Sequence, residues 1–148
     1  MSVLLFLHVT ALVLGFAMLI AYGTVCHVVA RSNHAEFARL AFKAVGELDL
    51  AGRLLIIAGL ILGLLLARPF GYDAPWLLAS DVLMALAILN GALILEPFQK
   101  RLMAAAVAGT TPLLPPQRSN LALYANIAGF FFWTASIWLM IAKPGIVQ

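Results

Sequence analysis

Four stretches of the chain are long and apolar enough to cross a bilayer, and this limits the fold more than any other feature. A hydrocarbon core of about 30 Å takes about 20 helical residues at 1.5 Å rise each. Such stretches run from Val3 to Ala30, Val45 to Ala67, Trp76 to Leu95 and Leu121 to Ile141. Within the second, the uncharged run begins only at Leu54, so that helix crosses with Arg53 reaching toward the headgroups along its aliphatic stem. The composition agrees. Of 148 residues 64% are apolar and 10% charged, with a mean hydropathy of +1.05, too few charges to cover a water-soluble surface. The expected fold is an all-α integral membrane four-helix bundle, forming one transmembrane domain over residues 1–148. A disordered chain and a disulfide-stapled scaffold are excluded by the apolar content and the single Cys26.

Punctuation and charge set the threading. All seven prolines lie at or beyond the ends of the four stretches. The opening stretch has no basic start and no small-x-small cleavage site, so it is expected to stay in the mature protein. Of nine Lys and Arg residues, seven fall in two loops: Arg31, Arg39, Lys43 and Arg53 after the first span, and Lys100, Arg101 and Arg118 after the third. Only Arg68 and Lys143 lie on the other side. The positive-inside rule then puts both basic loops in the cytoplasm and both termini outside; in a bacterium the expected location is the inner membrane, multi-pass, with both termini periplasmic. The basic balance serves topology and anionic lipid, and calls for no nucleic-acid partner.

The two basic loops carry helical patterns of their own. Asn33 and Glu36 have capping-box spacing, followed by Phe37, Leu40, Ala41, Ala44 and Leu48, which predicts an interfacial helix leading into span two. Phe98 to Gly109 also reads as helix, Thr110 to Pro116 breaks it, and Ser119 or Asn120 is placed to cap span four.

In lipid, helices meet where side chains are small. Gly52, Gly59 and Gly63 fall within about 40° on one face of span two, and Ala125 with Gly129 notch span four. His8, Gly15 and Tyr22 recur every seven residues on span one, as do Asn126, Trp133 and Met140 on span four, the pattern of left-handed bundle seams. His8 and Asp81 each lie about 8 Å below the same membrane surface. An ionisable group there needs a partner, so His8, Asp81 and Arg68 form a candidate polar cluster. Either Asp81 pairs with His8, or Asp81 pairs with Arg68 while His8 bonds a backbone carbonyl. Asn90 is nine residues past Asp81, on the opposite side of the helix, and is the candidate contact for a partner protein or a neighbouring helix. At similar depth, Asn90 and Asn126 are placed to share a hydrogen bond. Glu47, Asp49, Arg53 and Glu96 read as a headgroup-level salt network.

Bis-histidine haem ligation within the chain is excluded, because His8 and His27 are about 28 Å apart along one helix. A haem b held by His8, with Met140, Met84, a water or nothing opposite and Gly15 leaving room for the ring, is the cofactor alternative. Zinc and copper sites, nucleophile motifs, phosphate loops and the broken helices of transporters have no counterpart in the pattern.

Leu5-Phe6-Leu7-His8-Val9, Arg53 with the following Gly59 and Gly63, and Leu139-Met140-Ile141-Ala142-Lys143-Pro144 resemble the small bacterial "predicted integral membrane protein" family of four-span proteins, which has no assigned activity. More distantly the chain is similar to four-span haem-binding protoporphyrinogen oxidases and the membrane domain of copper-resistance D proteins. That likeness rests on His8 and implies a haem ligand there. Their membrane lysine has no counterpart in spans two and three. Together these features predict a non-catalytic accessory subunit that binds other membrane proteins, with a haem-binding redox protein as the alternative.

Overall fold

The structure, a computed structural model, describes residues 3–32, 34–68, 74–110, 113 and 116–142, with side chains at all of these except 116 and 117. The elements are α1 (Val3–Ser32), α2 (Ala35–Ala67), α3 (Pro75–Asn90), a π-helical turn (Gly91–Leu95), α4 (Glu96–Ala108) and α5 (Pro116–Ala142). There is no strand among the described residues. The run α3–π turn–α4 is one rod, Pro75–Ala108, so four rods are long and apolar enough to span a membrane. Only 17% of each rod's most apolar window is buried inside the protein. The remainder, including Phe6, Val13, Ile57, Ile61 and Phe131, points outward, as it must in a chain whose solvent is lipid. The fold is an all-α four-helix membrane bundle.

Two rods run further than their apolar patterns indicate. The interfacial helix and span two merge into the 33-residue α2, about 50 Å long. Its first residue is Ala35 and its N-cap is His34, with no side-chain cap bond; the expected cap, Asn33, lies outside the described residues. The third rod continues past Leu95, through Pro97, to Ala108. Proline lacks the N–H that an α-helix would donate to Leu93, and its ring crowds that carbonyl. The wider turn at Gly91–Leu95 absorbs the misfit immediately before it. At the other end of α4, Gly109 closes the helix with φ 68°. α5 begins at Pro116, so Ser119 lies in its first turn rather than capping it.

The rods associate mainly as two antiparallel pairs, α1 with α2 and α3 with α5; α1–α5 and α2–α4 contacts join the pairs. The α1–α2 seam is built on glycine. A Cβ at Gly15 would stand 2.9 Å from the carbonyl oxygen of Gly52, and one at Gly52 2.9 Å from that of Gly15. Gly59 meets the Leu12 side chain, and a Cβ at Gly63 would lie 2.7 Å from Cε1 of His8. The three glycines expected to mark one contact face of span two thus receive α1. Gly129 does the same for α3: a Cβ there would lie 3.2 Å from Nδ2 of Asn90.

Buried apolar side chains fall into three groups along the bundle. The largest, at the end where the basic residues gather, joins Tyr22, Cys26, Val29, Ala38, Phe42, Phe98 and Leu102 with their neighbours. Leu12, Met84 and Trp133 form the middle group, and Ala67, Trp76 and Leu77 the one at the opposite end. In the first half of α2 the inward face is Ala38 and Phe42, not the expected stripe: Phe37, Leu40 and Ala44 are exposed. An apolar side chain is as well placed against lipid as against protein, so hydrophobic spacing does not single out the inner face.

Candidate functional site

The polar residues of the spans are the candidates, and the packing decides their roles one by one. The Nδ1 of His8 lies 2.7 Å from the carbonyl oxygen of Gly59. That oxygen only accepts, so Nδ1 carries the proton and donates it. The ring is buried, pressed into the notch above Gly63. Of the two arrangements the sequence allows for His8, the backbone carbonyl is the observed partner.

Asp81 is not beside it. The inward face of α3 is Leu77, Ser80 and Met84, which leaves Asp81 on the outer side, exposed and without a hydrogen bond or ion pair among the described residues. Arg68, exposed at the end of α2, likewise forms no ion pair there. The cluster of His8, Asp81 and Arg68 is therefore not assembled. Around it the described outward-facing side chains of the neighbouring helices are apolar: Leu5 and Phe6 on α1, Leu64 and Leu65 on α2, Trp138 and Ile141 on α5. By helical rise the carboxyl group stands about 8 Å inside an apolar span, where holding a charge costs free energy, though less than at a bilayer centre, where the cost is about 2.5–3.5 kcal/mol.

Next to it, Ser80 and Ser136 form a polar contact that sequence spacing did not reveal. Their hydroxyl oxygens are 2.7 Å apart, each hydroxyl also lies within 3.3 Å of the other residue's carbonyl oxygen, and neither side chain has any exposure. The available signal was two small hydroxyl residues at matching depth in two spans, a pairing that spans free of charge favour.

Asn90 turns inward and donates from Nδ2 to the carbonyl oxygen of Ala125 at 2.8 Å. Its amide is thus used inside the bundle: of the two contacts open to it, a partner protein or a neighbouring helix, the observed one is the neighbouring helix α5. The opposite placement of Asn90 and Asp81 follows the helical spacing; which of the two faces outward does not. The expected hydrogen bond between Asn90 and Asn126 is absent. Asn126 instead sits against α1, where a Cβ on Gly23 would come within 2.6 Å of its Oδ1. Trp133 stacks on Phe16 with ring centroids 4.6 Å apart. Its indole Nε1 is the one buried side-chain polar atom among the described residues with no hydrogen-bond partner.

Toward the basic end, Arg53 reaches Asp49 at 3.0 Å and Glu96 at 3.4 Å, and Lys100 reaches Glu96 at 2.7 Å. The expected salt network therefore links α2 to α4, with Lys100 as a member and Glu47 outside it. Arg39 crosses to α4, donating to the carbonyl oxygen of Ala106 at 2.9 Å, which also accepts the Gly109 N–H, and to that of Val107 at 3.2 Å, at the negative end of that helix's dipole. The Ser119 hydroxyl lies 3.3 Å from Nδ1 of His27.

A haem at His8 would need an accessible ring nitrogen and space beside it, with or without an opposing ligand. The Nδ1 hydrogen bond suits a ligand histidine, since it leaves Nε2 as the free donor atom. The space does not fit. The notch at Gly15 is filled by Gly52, Leu55 and Ile56 of α2, each with an atom within 3.0 Å of where a Cβ on Gly15 would stand. Met140, one expected opposing ligand, packs against the cluster of Ala67, Trp76 and Leu77. No three His, Cys, Asp or Glu residues among those described gather as a metal-holding group.

No family model matches this chain, and no curated protein or solved structure matches it either.

Proposed function

We propose that this four-span membrane protein is a non-catalytic accessory subunit that binds other subunits within a larger assembly. The observation that carries the reading is Asp81, a carboxylate on the outer face of α3 with no partner among the described residues and apolar side chains around it. An isolated chain gains nothing from a charge in that position, whereas a subunit gains specificity once a neighbour satisfies it. The inward polar groups support the same reading: His8, Ser80, Ser136 and Asn90 are all used in helix-to-helix contacts.

The membrane is a bacterial inner membrane, and both termini face the periplasm. In support, Arg31, Arg39, Lys43, Arg53, Lys100, Arg101 and Arg118 fall between the first apolar stretch and the uncharged run from Leu54, or between the third and fourth stretches, on one side of the chain's threading.

The decisive experiment is the mass and visible spectrum of the protein extracted from its own membranes in mild detergent. The expected result is a colourless complex heavier than the 15.9 kDa chain, with another protein in fixed stoichiometry. A lone chain overturns the proposal. A Soret band that disappears in His8→Ala replaces it with the haem reading.

A further inference from the structure

We infer that the outer face of α3 docks a transmembrane helix of a different protein, and that this helix carries a lysine or arginine level with Asp81. The inference rests on the accessory-subunit reading and deepens it by naming the face and the chemistry of the partner.

Leu78, Asp81, Ala85, Ile88 and Ala92 repeat at intervals of three and four residues, and all five are exposed. At about 100° per residue the four on α3 fall within about 80° of one another, a single stripe along the helix, and Ala92 follows in the π-helical turn. Three-four spacing is the seam that two helices present to each other in a left-handed crossing. The two alanines allow the backbones to come close, and small residues in such positions mark helix contacts in lipid. None of them is among the buried residues of α3, Trp76, Leu77, Ser80 and Met84, or the residues that hydrogen-bond to α5, Ser80 and Asn90.

Charge decides the occupant. Asp81 lies one and a half turns inside the start of α3, too deep for its short side chain to reach water along the helix. A cation on the docked helix would neutralise it and replace its lost hydration with charge-assisted hydrogen bonds. A second copy docking face to face would set Asp81 against Asp81, a like-charge pair inside an apolar span. The chain's own described cation at this end, Arg68, follows the last turn of α2 and lies nearer the membrane surface than Asp81. A lipid headgroup is bound to the surface and cannot lie along a stripe that continues to Ala92.

The test is photocrosslinking in the native membrane, with a photoreactive residue placed in the full chain at Ala85, at Ile57 or at Phe131. The last two are exposed on α2 and α5. The expected result is an adduct from position 85 with a different protein whose spanning segment contains Lys or Arg. Asp81→Asn, which keeps the side chain's shape, should reduce that adduct at least tenfold, and Asp81→Glu should keep most of it. Exchanging the charges, Asp81→Lys with the partner's cation changed to Asp, should restore it to within about twofold of wild type. Membrane content of each variant, read by immunoblot, separates lost docking from lost folding. Adducts from 57 or 131 alone leave the accessory reading standing and overturn this one. So does an adduct between two copies, one insensitive to Asp81→Asn, or one with a partner lacking a cation in its span. A protein that yields no adduct from any position and migrates as a lone chain overturns both.

Discussion

At the scale of single residues, the interior shows how little polar chemistry a bundle in lipid needs to fix its register. His8 contributes one hydrogen bond to Gly59 and fills the notch at Gly63. Bonds of this kind in membranes are worth about 0.6 kcal/mol on average, so packing accounts for most of what the ring supplies. His8→Ala is expected to destabilise the bundle by about 1–3 kcal/mol, chiefly through the cavity it leaves, as read by unfolding in mixed micelles. Trp133 separates the two contributions more sharply. Its stacking on Phe16 stabilises, while its unpartnered N–H costs about 1–3 kcal/mol. Trp133→Phe keeps a ring and removes the orphan donor, so it should change stability by less than about 1 kcal/mol, whereas Trp133→Ala should cost about 3–5 kcal/mol. If the two variants unfold alike, the stacking account fails. His8 was legible as a residue that needed a partner because a lone imidazole in a span has few options. Its partner was not legible, because any of dozens of backbone carbonyls could accept the proton.

At the scale of elements, glycine placement was the reliable signal and hydrophobic spacing was not. Gly52, Gly59 and Gly63 predicted a contact face on span two, and that face is where α1 lies. Gly52→Leu should therefore separate α1 from α2, since the nearest obstacle is the Gly15 carbonyl, a backbone atom that cannot rotate aside. A loss of about 1–3 kcal/mol is expected from overpacking, more if the hairpin splays apart. Gly46→Leu is the control, because nothing lies within 4 Å of its missing Cβ, and it should be nearly silent. The apolar stripe of Phe37 and Leu40 misled because burial by lipid and burial by protein select the same side chains. Arg39 shows what spacing does not reveal: a cation on α2 reaches across to the carbonyls of Ala106 and Val107 at the end of α4. Arg39→Ala should speed amide exchange around Thr110, whose N–H bonds back to Ala105, while leaving the middle of α4 unchanged.

For the whole molecule, four apolar stretches of spanning length were legible because bilayer thickness fixes helix length and the prolines fall at or beyond the ends of those stretches. The extension of the third rod through Pro97 was not, since a proline normally ends a helix and only the preceding π-helical turn lets it continue. The proposed threading predicts that a single cysteine at Lys43, introduced with Cys26→Ala, is labelled by a membrane-impermeant thiol reagent only after the membrane is opened. Labelling in intact cells would reverse the orientation. The pairing of the rods also bears on how the chain is made. α1 and α2 are consecutive in sequence and meet along the glycine seam, whereas α3 must wait for α5. The first hairpin can thus lock as soon as Arg68 leaves the ribosome, and the later rods assemble against a template already set in the bilayer.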